Sequence, residues 1–139
     1  MSVAHNKAMI RREIEEIWDK GDMSIVSEII ASNYYYHSPL GIDIKGLDGY
    51  KQMFLDVRST FPDFHMSIDS MIAEGDKIAA VFTMSGTFKG KFGMFEPTGN
   101  RFLIKSVYLY GFENGKVVGM EAFYDTLTYF QQLGIKPPG

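Results

Sequence analysis

The stretch Ser106-Val-Tyr-Leu-Tyr-Gly-Phe-Glu-Asn-Gly-Lys-Val-Val-Gly-Met-Glu-Ala-Phe-Tyr-Asp125 decides the fold. It reads as two β-strands around Asn114-Gly115. A type I′ turn needs positive φ at both central residues, and Asn-Gly between β-rich runs is the strongest short signal for one. A two-residue turn sets the register by counting outward. Phe112 then faces Val117, Tyr110 faces Gly119, Tyr108 faces Glu121 and Ser106 faces Phe123. Side chains alternate across a sheet. One face therefore carries Tyr108, Tyr110, Phe112, Phe123, Glu121 and Asp125, two carboxylates among aromatics. The other carries Leu103, Val107, Leu109, Val118, Met120 and Tyr124. A one-residue bulge would exchange the faces for the acids.

Upstream of the hairpin the chain is β-rich from Phe64. Strands over 64–74 and 77–88 flank a turn at Gly75-Asp76. Glycines 90, 93 and 99, with Pro97, break the pattern into a loop that carries Phe92, Met94 and Phe95. Before residue 62 the periodicity is helical. Residues 3–19 place Ile10, Ile14, Ile17 and Trp18 on one face. Asp22 is a plausible N-cap for a short second helix. A third helix over 47–60 buries Leu47, Tyr50, Met53, Phe54 and Val57. It stops at Phe61-Pro62, because the residue before proline disfavours the α region. Tyr34-Tyr35-Tyr36-His37 is an isolated early strand, followed by a loop over 41–46. A short helix over 126–133 ends at Gly134 and Pro137-Pro138. Helices first and strands after mean an α+β domain, with three N-terminal helices packed on the concave face of a curved antiparallel sheet.

At 139 residues the chain forms one domain, 1–139, with a core of ordinary size. A net charge of −3 gives no reason to expect nucleic acid, and no window is apolar enough for a membrane span. The absence of cysteine removes disulfides and thiolate metal sites. With no apolar leader following the N-terminal charges, the expected location is cytoplasmic. Nine methionines and 14% aromatics suit either a large apolar cavity or a densely packed core. Both hairpin faces are apolar. The helices cover one, and a second copy of the chain is the expected cover for the other, giving a homodimer through the outer sheet face.

The order and spacing of several short elements carry a resemblance. They are Tyr34 with His37 and Pro39, Gly46-Leu-Asp-Gly49, Phe61-Pro-Asp63, Glu74-Gly-Asp-Lys77, Gly86-Thr87, Pro97-Thr-Gly99, Asn114-Gly-Lys116, Asp125 and Gln131-Gln-Leu-Gly134. Together they resemble the SnoaL-like polyketide cyclases, in the superfamily with the nuclear transport factor 2 cone fold, over roughly residues 7–136. The resemblance implies a cone fold and ring closure by intramolecular aldol condensation, without metal or organic cofactor. It implies that Asp125, six residues before Gln131, is the acid/base. The family's strand histidine is replaced here by Tyr110-Gly111, and its early Asp-His pair by Tyr36-His37.

Each candidate residue has a chemical reading and a plainer one. Asp125 and Glu121 would share acid/base work, their carboxyls raised by aromatic surroundings. Against this, Asp125 is well placed to cap the helix that follows. Tyr108 and Tyr110 would donate to an enolate oxygen, or simply pack. His37 would carry a proton or contact substrate, with Phe123 alongside in the pocket wall. Phe92, Met94 and Phe95 would form a lid hinged on glycines. No metal site is expected. The partner these readings imply is a small apolar or aromatic carbonyl compound. The alternative is a non-catalytic ligand-binding or dimerisation module.

Overall fold

The computed structural model describes residues 2–136. Pro137-Pro138, read from the sequence as a helix stop, lies outside them. Helix α1 (Val3–Arg12) runs into a π-helical segment, Glu13–Asp19. A 3₁₀ turn, Met23–Ile25, follows, with Asp22 accepting from the Ser24 backbone N–H as the expected cap. Short α2 (Val26–Ile29) leads into β1 (Ile30–His37). β2 (Asp43–Lys45) is a three-residue strand where the sequence suggested only loop. Its pairing with β1, Tyr36 opposite Ile44, forms it. Then come α3 (Gly46–Thr60), β3 (His65–Glu74), β4 (Lys77–Thr87), β5 (Arg101–Glu113), β6 (Lys116–Tyr124) and α4 (Thr126–Leu133).

The six strands form one sheet in the order β2-β1-β6-β5-β4-β3, antiparallel except where β1 meets β6. The long helical elements cover the inner face. The π segment and α1 pack against β3, α3 packs against β1, and α4 closes over β5. The buried core fills the space between, with Ile10, Ile17, Tyr34, Tyr50, Phe82 and Phe102 essentially inaccessible.

The Asn114-Gly115 turn forms as read, with φ of 52° and 77°. The register does not follow by simple counting. Glu113 pairs with Lys116 and Phe112 with Val117 as expected, but Gly111 then pairs with Gly119. Val118 is the extra residue of a β-bulge, so two β6 residues oppose one on β5. Beyond it every pairing is displaced by one. Tyr110 faces Met120, Tyr108 faces Ala122, and Ser106 faces Tyr124. The face assignment is therefore corrected. Met120, Ala122 and Tyr124 look inward, while Glu121 and Phe123 are exposed on the outer face. A single bulge moves a whole side-chain set across the sheet, because its period is two.

Candidate functional site

A cavity of about 270 Å³ lies between the helices and the inner sheet face. Its lining is aromatic and methionine-rich, including Trp18, Phe64, Phe102, Met66, Met84 and Met120. Among the described residues the ionisable carboxyls on the lining are Glu13 and Asp56, and no Lys, Arg or His belongs to it. Asp56 is solvent-exposed on α3 and accepts from Gln52. Glu13 is 1% exposed.

Local backbone geometry puts Glu13 there. At about 100° per residue, Glu13, Ile14, Ile17 and Trp18 fall within one arc of about 140°, the face that Ile10 occupies on α1, and the π-helical turn keeps all four buried. A π turn within a helix commonly marks a functional position. The carboxylate is then held from two directions. The Tyr50 hydroxyl on α3 donates to Oε2 at 2.6 Å, and the Tyr110 hydroxyl on β5 donates to Oε1 at 2.8 Å. The indole N–H of Trp18 donates to the Tyr50 oxygen at 2.9 Å, which orients that hydroxyl toward Glu13. No cation neutralises the acid among these partners. Burial pushes the Glu13 carboxyl above its ordinary range, and the bonds from Tyr50 and Tyr110 only partly oppose this. A raised carboxyl facing an apolar cavity is suited to exchanging protons with a bound molecule.

The rest of the polar lining is phenolic. Tyr36 (β1), Tyr108 (β5), Tyr124 (β6) and Tyr129 (α4) all border the cavity. Tyr36 and Tyr108 lie with ring centroids 6.4 Å apart, and Tyr124 and Tyr129 meet edge-on at 5.5 Å. Burial drives the Tyr36 hydroxyl up to about 12, with the Tyr108 hydroxyl acting weakly the other way. Burial raises Tyr108, Tyr124 and Tyr129 as well, so all four remain donors at physiological pH. Among the described residues no cluster of three His, Asp or Glu side chains is arranged to hold a metal ion, and no helix is long and apolar enough to cross a membrane.

With this geometry in view, a model of the SnoaL-like polyketide cyclase family matches residues 8–133. The chain belongs to the SnoaL-like polyketide cyclase family. Solved structures repeat the fold. One from Jannaschia sp. CCS1, assigned to the SnoaL-like polyketide cyclases, is 19% identical with a TM-score of 0.87, covering 99% of this chain and 98% of its own. TsrD from Streptomyces laurentii is 22% identical with a TM-score of 0.85, covering 98% and 99%. An NTF2-like protein of unknown function from Burkholderia pseudomallei K96243 is 22% identical with a TM-score of 0.77, covering 96% and 98%. Among curated proteins none matches.

The SnoaL-like aspartate position, Asp125, lies at the outer end of β6 and does not line the cavity. Its carboxylate accepts from the Thr128 backbone N–H at 3.0 Å and from the Thr128 hydroxyl at 2.6 Å, capping α4. These bonds hold its pKa below the usual carboxylate value, opposite to the expected direction. Glu121 sits on the outer face opposite Leu109, away from the cavity. Phe123 is beside Val107 on the same outer face. His37 also points out of the cavity. Its Nδ1 meets Asp43 at 2.5 Å, and this bond raises its pKa above that of a free imidazole.

Tyr108 and Tyr110 do lie on the inner face, the latter occupied with Glu13. Of the loop residues, Phe92 lines the cavity, Phe95 packs against the core without lining it, and Met94 is exposed at the tip. The loop is pinned rather than free. The Thr60 carbonyl accepts from the Lys89 and Gly90 N–H groups, and the Thr60 hydroxyl donates to the Lys91 carbonyl. Glu13 was missed because it reads as one charge in a run of acids, Glu13, Glu15 and Glu16. The available signal was that Glu13 shares a helical face with Ile10, Ile14 and Ile17, one turn from each end of that stripe.

Proposed function

We propose that the protein is a cofactor-free enzyme of its family that moves a proton at the carbon beside a carbonyl of a small apolar compound, with Glu13 as the acid/base. The observation that carries this reading is the Glu13 carboxyl, buried, uncompensated by any cation and open to an apolar cavity. In the anionic form Glu13 removes the α-proton, and the electron pair moves onto the carbonyl oxygen. In isomerisation the proton returns from Glu13 to another carbon. In aldol closure the enolate carbon attacks a second carbonyl of the same molecule, and Glu13 returns the proton to the resulting alkoxide. Tyr110 and Tyr50 stabilise the carboxylate when it is charged, and the dry surroundings strengthen both bonds.

The test uses 1-tetralone, a neutral bicyclic ketone with exchangeable protons at C2. Wild type is expected to speed deuterium uptake at C2 in D₂O, read by NMR. Glu13→Gln should lower the enzyme-dependent rate by about 10²-fold or more, the usual contribution of a positioned acid/base. Asp125→Asn should leave it unchanged. An unaltered rate in Glu13→Gln, or loss in Asp125→Asn, would sink this assignment. A ligand-binding module without chemistry is the second reading, favoured by the fact that both Glu13 oxygens already accept a hydrogen bond. It predicts tetralone binding with no exchange at all.

A further inference from the structure

The cavity has a second polar region that the acid/base chemistry does not use. Among the described residues the hydroxyls of Tyr124 and Tyr129 reach no protein acceptor, the Tyr108 hydroxyl is shared between the Tyr36 oxygen and the Met84 sulfur at 3.7 Å, a weak acceptor, and the Tyr36 proton is left without an acceptor of its own. Tyr36 and Tyr129 are nonetheless 8% and 6% exposed. Buried hydroxyls are ordinarily bonded, so a group of them bordering one void calls for a partner from outside the protein. These four come from β1, β5, β6 and α4 and border the one cavity, with the Tyr36 ring near that of Tyr108 and Tyr124 edge-on to Tyr129. The bulge at Val118 is what assembles them. It turns Tyr124 inward and sets small Ala122 opposite Tyr108, leaving room for the Tyr36 ring to approach Tyr108.

We propose that Tyr36, Tyr108, Tyr124 and Tyr129 form a substrate-oxygen subsite that receives a neutral acceptor, a carbonyl or an enol oxygen, and rejects carboxylates. One molecule reaches both regions, because Glu13 and the four tyrosines border the same cavity, and Tyr108 neighbours Tyr110, which bonds Glu13, on the inner face of β5 with ring centroids 6.4 Å apart. Anions are disfavoured because the lining offers two acids and no cation, so a carboxylate would be desolvated without compensation. The substrate class is a neutral, largely apolar ketone or phenolic ketone. This rests on the cavity being the binding site proposed above, but not on Glu13 being the catalyst.

The experiment measures binding by calorimetry for three ligands of one shape: tetralin, 1-tetralone and 5,6,7,8-tetrahydro-2-naphthoate. In wild type, tetralone is expected to bind about tenfold more tightly than tetralin, the increment of a hydrogen bond made by otherwise unpartnered donors. The carboxylate should bind more weakly than tetralin. In Tyr36→Phe, and separately in Tyr124→Phe, the tetralone-to-tetralin ratio should fall toward one while tetralin affinity stays within about twofold, which shows the cavity intact. A ratio near one in wild type, undetectable tetralone binding, a ratio untouched by both substitutions, or tight carboxylate binding would each overturn the subsite. Failure of the Glu13 assignment looks different: the ratio persists and only C2 exchange is absent or insensitive to Glu13→Gln.

Discussion

Glu13 carries a consequence for stability that can be measured without any substrate. Its carboxyl is raised in the folded chain, first by burial, against an unfolded value near 4.5. A raised acid binds more protons folded than unfolded, so stability falls as pH rises. The contribution is full below about pH 4.5 and is lost as pH climbs through the folded pKa. Glu13→Gln keeps the shape and removes the titration. The melting temperature of the variant, relative to wild type, is therefore expected to rise with pH between 5 and 8 in parallel scans. A difference that is flat across that range would contradict a raised folded pKa. Asp125 has the opposite sign. The Thr128 bonds lower its pKa, so its contribution is present above the ordinary carboxylate value and fades as pH falls through the lowered one. Asp125→Ala is expected to lower the melting temperature by a few degrees at pH 7 through loss of the cap, with tetralone exchange unchanged.

Elements were more legible than faces. Asn114-Gly115, Phe61-Pro62, Gly75-Asp76 and Gly134 each punctuate the chain where the structure turns, since each supplies a backbone conformation that other residues resist. What pattern reading could not supply were the bulge at Val118, which reassigns which β6 side chains meet the cavity, and the tertiary partners Tyr50 and Tyr110 that accommodate a buried Glu13. The acids read from the hairpin left the site because of the bulge, and Glu13, on a helix the hairpin reading did not reach, entered it. The connection between β4 and β5 offers a test at this scale. Gly90 lies against the end of α3, where an added Cβ would come 2.0 Å from the Ser59 carbonyl oxygen. Backbone cannot yield as a flexible side chain would. Gly90→Ala is expected to cost about 1–3 kcal/mol in chemical denaturation, as overpacking does. It should also displace Phe92 from the cavity wall, weakening tetralin binding. A variant as stable as wild type would mean the loop is not clamped to Thr60 as described.

At the scale of the whole molecule, the two sheet faces divide the work. The inner face is fully committed to core and cavity. The outer face leaves Leu103, Leu109, Phe123 and Tyr35 each about half exposed on neighbouring strands, with Val107 and Val118 between them. Scattered apolar residues are normal on a surface, but a contiguous set across β1, β5 and β6 is the pattern of an interface. Its charged residues lie within the patch, Glu121 between Leu109 and His37 across the strands and Lys105 between Leu103 and Val107 along β5, where Lys105 pairs with Asp69. A second copy of the chain would supply the same surface in reverse under two-fold symmetry and cover the apolar set. Sedimentation equilibrium is expected to give a dimer in wild type. Leu109→Lys places a charge at the centre of the patch, and should shift the protein to monomer at micromolar concentration. Tetralone binding should survive, because Leu109 faces away from the cavity. A monomer in wild type, or a dimer indifferent to Leu109→Lys and Phe123→Lys together, would assign the outer face no such role.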